Sequence, residues 1–405
     1  MLTAGLVLVV VLALAFDFTN GFHDAANAIA SAVSTRALTL RAALALAAVM
    51  NLVGALLGTG VAVTIASGVI DTPVGADALH VVTAALVGAI AWNLVTWYFG
   101  LPSSSSHALV GGLVGAALAS ATSVRWAGVL EKVVVPMVVS PVIGLVLGYL
   151  VMTAIQWAFR NANAHRAGRL MRRAQVVSAA SLALGHGLQD AQKSMGVIVL
   201  ALVVTGRQGD YSVPLWVVVA CALALSAGTW SGGLRIMRTL GRRIFHLTPP
   251  HGFAAELSAS SVLYLTAFAF AAPVSTTHVI TSAVMGVGAT TRRSAVRWSV
   301  AADIAKGWVL TLPASGGAAP PAPPPPPRRL RRHGAPVRTP RTAHGAVAAA
   351  RRTRSAYTPG SSCSTTGNPV SGSPTHLSPT PGLSTSCPSA KNRCGQPRTA
   401  SRLAR

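Results

Sequence analysis

Acidic side chains are scarce: nine Asp and Glu stand against 33 Lys and Arg in 405 residues, and charges of either sign make up only 10% of the chain. A water-soluble domain carries roughly 25% charged residues, so this composition excludes an ordinary soluble fold. Cysteine is equally sparse. Of the four, Cys221 sits in an apolar run and Cys363, Cys387 and Cys394 fall in the C-terminal stretch, so no disulfide framework is implied. A formal charge of +24 suggests nucleic acid, but its distribution argues against that partner. Residues 313–405 hold 14 of the basic residues, no acid, and 17 of the 25 prolines. The remaining 19 basic residues cluster in loops between apolar runs, which is a topology signal rather than a nucleic-acid footprint.

What the chain does have is hydrophobicity, at 51% of residues. Apolar runs close to the roughly 20 residues needed to cross a bilayer recur from residue 2 to residue 312. The first, Leu2 to Phe18, lacks a basic leader and a small-residue cleavage site, so it is expected to be a transmembrane helix rather than a removable signal. Gly, Pro and charge clusters divide the rest. Helices are expected at 2–35 (interrupted near 19–24), 41–65, 79–100, 103–122, 130–159, 175–205, 213–231, 253–270, 274–291 and 295–312.

An internal repeat runs through these segments. Gly21-Phe22-His23-Asp24-Ala25-Ala26-Asn27 returns as Gly187-Leu188-Gln189-Asp190-Ala191-Gln192-Lys193, 166 residues on. Pro102-Ser103-Ser104-Ser105-Ser106-His107 returns as Pro273-Val274-Ser275-Thr276-Thr277-His278, 171 residues on. Two motifs in one order at nearly one offset make a duplicated unit of about five segments. Five is odd, so the copies face opposite ways. Arg36, Arg41, the arginines between 160 and 173, those between 235 and 243, and Arg292, Arg293 and Arg297 fall on one side. Only Arg125, Lys132 and Arg207 fall on the other. The positive-inside rule makes the first side cytoplasmic and puts the N-terminus outside. The expected fold class is therefore an all-α polytopic membrane protein of two inverted-topology repeats, with broken or re-entrant helices at the substrate site. The expected parts are a first repeat at 1–159, a basic cytoplasmic linker at 160–174, a second repeat at 175–312 whose last helix is cut short, and a disordered tail at 313–405.

The repeated motifs carry chemistry. An ionised carboxylate at bilayer depth costs a few kcal/mol, so Asp24 and Asp190 are expected to face a cavity, a partner or a transported ion. The plainer alternative is a polar residue snorkelling from a helix end. Asn20, Asn27, Gln189 and Gln192 suit a broken helix, where amides satisfy freed backbone groups or coordinate a cation. Ser103 to Ser106 and Ser275 to Thr277 each follow a proline and open a helix. Hydroxyls and N–H groups there favour an oxyanion, the alternative being an N-cap and a polar turn. His107 and His278 suit phosphate contact, proton carriage or capping. Lys193 needs a buried partner, with Asp24 or Asp190 expected, and Asp17, Glu256 and Asp303 are secondary candidates.

These motifs resemble the inorganic phosphate transporter family of sodium- or proton-coupled symporters. The first signature is carried by Gly21 to Ala28, the second by His186 to Lys193, and the paired substrate loops by the two proline–hydroxyl–histidine segments. The likeness covers roughly residues 5–312. It implies cation-coupled symport of inorganic phosphate across the cell membrane by a homodimer, with no enzymatic activity and no resident cofactor or metal. Ser103, Ser104, Ser105, Ser106, His107, Ser275, Thr276, Thr277 and His278 then hold phosphate. Asp24, Asn27 and Asp190 lie at the cation site, with His23, Gln192, Lys193 and Glu256 as further coupling candidates. The co-transported ion is H+ or Na+. His23-Asp24 and Gln189-Asp190 depart from the Asn-Asp of many members, and the His form resembles the bacterial branch associated with proton-driven uptake of metal phosphate. The family also includes a sulfate branch. Outside the family, an intramembrane hydrolase would use Ser104 or Ser275 with a histidine and an aspartate. After residue 312 the likeness stops: the polyproline and arginine of the tail cannot bury a core. The expected origin is a reading-frame change in the coding sequence, the alternative being a basic tail that binds anionic lipid or nucleic acid.

Overall fold

The computed structural model describes residues 2–68, 76–232, 236–237 and 239–320. All lie in the first of two compact units into which the chain divides at residue 331. Residues 321–405, most of the expected tail, lie outside the described residues. Every element within them is helical, as lipid demands of backbone groups that have no water to bond. In order they are α1 (Leu2–Ser34), α2 (Leu40–Ala55), α3 (Gly60–Gly68), α4 (Ala76–Phe99), α5 (Ser105–Ala119) and α6 (Trp126–Val129). A π-helical turn at Leu130–Val134 leads into α7 (Val135–Ala158). Then come α8 (Ala164–Val204), α9 (Leu215–Ser231), α10 (Pro249–Tyr264), α11 (Thr276–Thr291) and α12 (Trp298–Gly317). Among the described residues, five helices are long and apolar enough to cross a membrane, or six if α2 and α3, bent by 69° at their junction, form one span. Large apolar side chains stay exposed at Val138, Val142, Val146 and Leu150, a stripe along α7 that lipid accommodates and water would not.

Four boundaries differ from those read in the sequence. The interruption expected near 19–24 does not occur: α1 runs unbroken through its motif, and α8 through the second copy. Neither motif holds a proline, and Gly21 serves a close crossing rather than a break. The basic stretch at 160–174 is not a loop, because helix α8 begins at Ala164, capped by the Asn163 side chain. The segment expected as one helix at 41–65 bends between Ala55 and Gly60. The last helix passes through Pro313 to Gly317, five residues past the boundary at 312.

Glycines at the helix crossings display the duplication in three dimensions. A Cβ on Gly21 of α1 would overlap the Leu225 carbonyl of α9, and one on Gly187 of α8 would overlap the Asn51 carbonyl of α2. The reciprocal crossings match: Gly228 of α9 lies against Phe18, and Gly54 of α2 against Leu184. The same holds where α5 meets α12 and α7 meets α11. Gly115 lies against Gly316, as Gly286 does against Leu145. Gly111 lies against Ser315, as Gly144 does against Ser282. Each half therefore packs its helices on its twin's, giving two interlocked inverted repeats.

The true breaks fall between α4 and α5 and between α10 and α11. In both, the chain turns through a left-handed residue, Gly100 at φ 67° and Ala271 at φ 45°. In both, the turn closes on a threonine carbonyl, from Leu101 N to Thr96 O at 2.9 Å and from Ala272 N to Thr266 O at 3.0 Å. These turns deliver the proline–hydroxyl segments into the protein interior.

Candidate functional site

Asp24 and Asp190 are 1% and 0% exposed, near the middle of α1 and α8. Three groups hold Asp190. Lys193 Nζ donates to Oδ1 at 2.8 Å, Asn20 Nδ2 donates to Oδ2 at 3.0 Å, and His186 Nε2 lies 3.2 Å from Oδ2. Asp24 meets His23 Nδ1 at 2.7 Å through Oδ1 and accepts from the Ser105 hydroxyl at 3.4 Å through Oδ2. Lys193 also donates to Ser105 Oγ at 2.8 Å, which ties the two carboxylates into one cluster. The expected pairing of Lys193 is thus with Asp190. One ammonium against two carboxylates leaves the buried centre with a negative excess while both histidines are neutral.

Above this centre the two re-entrant loops clasp each other. Thr277 donates to the Ser103 carbonyl at 3.0 Å, and Ser106 donates to the Val274 carbonyl at 3.3 Å, a pair of bonds related by the repeat. Ser104 and Ser275 cap their helices, each accepting from the backbone N–H of His107 or His278 at 3.3 Å. The N-termini of α5 and α11 therefore converge, and the His107 and His278 rings meet with centroids 4.7 Å apart. Asn27 joins loop to centre by donating to Thr277 Oγ1 at 2.7 Å. Its Oδ1, like His107 Nδ1, is buried without a partner among the described residues. Such orphaned atoms are costly unless a ligand meets them.

Two candidates sit elsewhere. Gln192 turns away from the carboxylates: its Oε1 accepts from Val61 N and Ala62 N at 2.7 and 3.1 Å, so it caps the start of α3. Glu256 lies in a separate pocket, accepting from Ser31 and Ser178, both at 2.5 Å, and from Gln175 at 3.2 Å. Asp17 accepts from Ser194 at 2.6 Å, and Asp303 pairs with Lys306 at the surface. Thr96 of α4, 2% exposed and 3.0 Å from His23 Nε2, was not among the candidates. No repeat signal marks it, because at the loop offset its counterpart is Ala267.

The Lys193 ammonium disfavours a divalent metal at this centre. One ligand atom each from Asp24, His186 and Asp190 falls within 4.8 Å of the others. Lys193 and Asn20 already occupy the Asp190 oxygens, and the ammonium repels a divalent ion at that range.

Residues 20–319 match the model of the phosphate transporter family. The chain belongs to that family. This phosphate transporter family member is 48% identical over 315 residues to a Mycobacterium bovis protein described as "Probable low-affinity inorganic phosphate transporter", covering 77% of this chain and 75% of that one. A Bacillus subtilis protein of the same description is 44% identical over 312 residues, covering 76% and 93%. Among solved structures, "The sodium-dependent phosphate transporter" superposes with a TM-score of 0.72 at 24% identity, over 78% of this chain and 97% of that chain. The family consists of transporters, not enzymes, and Ser104 and Ser275 act as helix caps here rather than as nucleophiles.

Proposed function

We propose that the chain carries inorganic phosphate inward across the cell membrane in symport with a cation, proton or sodium. One observation carries the reading: two helix N-termini, clasped through Thr277 and Ser106, converge beside two buried carboxylates that a single lysine offsets. The positive ends of α5 and α11, with the hydroxyls of Ser105, Ser106, Thr276 and Thr277, suit an oxyanion. An oxyanion beside an already negative centre is unfavourable unless positive charge enters with it, so anion and cation occupancy are linked. Asp24 and Asp190 are the groups that the cation compensates. The inverted halves supply two equivalent packings for alternating access. Arg36, Arg41 and the arginines of the 160–173 stretch then face the cytoplasm, with the N-terminus outside.

Labelled phosphate uptake into proteoliposomes under imposed sodium and proton gradients, with sulfate as competitor, tests the reading. Removing the hydroxyls in Ser105→Ala/Thr276→Ala weakens apparent affinity by about tenfold or more, each charge-assisted contact being worth roughly 1.5–3 kcal/mol. An unchanged affinity would make the loops mere caps. Asp24→Asn and Asp190→Asn each abolish concentrative uptake, and normal accumulation by both would sink the coupling role.

A further inference from the structure

Among the matched positions at which the two halves differ, two lie in contact with each other. His23 and Ser103 in the first half stand where Gln189 and Val274 stand in the second. Gln189 is locked: its Nε2 lies within hydrogen-bond distance of Thr266 Oγ1 at 2.9 Å, the Leu263 carbonyl at 3.3 Å and the Ala272 carbonyl at 3.4 Å. An amide so placed is a strut and cannot carry a proton. His23 has the same neighbours in kind but is bonded as a bridge. Nδ1 meets Asp24 Oδ1 at 2.7 Å, and Nε2 meets Thr96 Oγ1 at 3.0 Å and Ser103 Oγ at 3.3 Å. The two hydroxyls lie 2.9 Å from each other.

Thr96 and Ser103 are among the residues lining a cavity of about 350 Å³ between α4, the first re-entrant loop and α12. That volume holds several waters, each needing about 30 Å³ in the liquid. Its other walls include Trp92, Gly307 and the Asp303–Lys306 pair, whose side chains are 66% and 72% exposed. Asp303 and Lys306 lie near the start of α12, just after Arg292 and Arg297, so the cavity opens on the side read as cytoplasmic. Among the described residues, the ring thus links Asp24 to the two residues that line this cavity.

Resting on the symport reading with a proton as the coupling ion, we infer that His23 with Ser103 and Thr96 forms the path by which that proton passes between Asp24 and the cytoplasmic cavity. The proton on Asp24 Oδ1 moves to Nδ1 as the Nε2 proton moves to Ser103 Oγ, directly or through Thr96, and the Ser103 hydroxyl proton moves to cavity water. One O–H bond is lost at Asp24 and one gained on water, and no other reactant is needed. Among the described residues, the charged groups around this path begin with the Asp303–Lys306 pair of α12, which walls the cavity at its outer end. On α1 they are Asp24 itself and, nearer the outer end, Asp17. From α8 they are His186, Asp190 and Lys193, on the far side of Asp24. His107 of α5 and His278 of α11 stand beyond the loop clasp, Glu256 of α10 contacts α1 two turns away at Ser31, and α9 contributes only Cys221. From α4 and the loop only hydroxyls approach the ring.

The test uses the full chain in proteoliposomes with a trapped pH dye, measuring protons moved per phosphate and, separately, phosphate–phosphate exchange, which needs no net proton movement. His23→Gln, which copies the second half and removes the titrating ring, is expected to lower the proton-to-phosphate ratio severalfold. Thr96→Val is expected to lower it severalfold, and to lower it more than it lowers phosphate–phosphate exchange. Should His23→Gln fail to fold, Thr96→Val combined with Ser103→Ala takes its place with the same expectation. A wild-type ratio in these variants overturns the relay, as does a wild-type protein that accumulates phosphate on sodium alone without moving protons. A wild-type protein that exchanges no phosphate overturns the transport reading instead.

Discussion

Replacing Lys193 by methionine keeps the length and removes the one fixed positive charge at the centre. At 2.8 Å and an effective dielectric of about 20, the attraction between Lys193 and Asp190 is roughly 6 kcal/mol, most of it offset by desolvation. Without it, Asp190 and Asp24 face each other through oxygens no more than 4.8 Å apart, a repulsion of roughly 3.5 kcal/mol at the same dielectric. Lys193→Met is expected to cost about 3–5 kcal/mol, the usual loss when one partner of a buried pair is removed. Asp190→Asn/Lys193→Met removes both charges and is expected to recover at least half of that cost. Unfolding of the purified protein in detergent, followed for the wild type, both single variants and the double variant, gives the coupling energy directly. A coupling below about 1 kcal/mol, the range of solvent-exposed ion pairs, would refute the placing of Lys193 as the charge that holds Asp190 in a dry centre.

Two further outcomes follow from the packing and the chain division. Gly21→Val and Gly187→Val push a side chain into the backbone of α9 or α2, and are expected to prevent isolation of a monodisperse protein, whereas Gly168→Ala, with open space around it, is neutral in the same size-exclusion assay. A chain ending at residue 320 is expected to transport phosphate at the full-length rate, since every candidate residue precedes that point, and loss of uptake on truncation would make the tail a working part.

The membrane class, the duplication and the two motif pairs were legible because each leaves a local or periodic trace. Apolar length is a count along the chain, and an offset shared by two motifs is visible without coordinates. The pairing of Lys193 was legible in kind, since a buried ammonium must find a carboxylate, but not in choice, since Asp24 and Asp190 were equally available. The helix breaks were misplaced because amides beside an aspartate look like a broken helix. In the folded protein Asn20 and Asn27 spend their side chains on Asp190 and Thr277 instead.

By itself, then, the sequence determined an all-helical membrane protein of two inverted halves with paired acid and hydroxyl motifs. Hydrophobic length, charge bias and repetition are properties of order along a chain. Only the tertiary structure decided which members of those motifs share one centre. Gln192 and Glu256 sit as near to it in pattern as Lys193 does, yet one caps α3 and the other is enclosed by Ser31, Gln175 and Ser178. Nor could the sequence show that His23 bridges Asp24 to a cavity while its twin Gln189 braces a turn. That difference depends on where α4 and α12 bring Thr96 and open space, and side-chain direction between distant helices is settled by their packing alone.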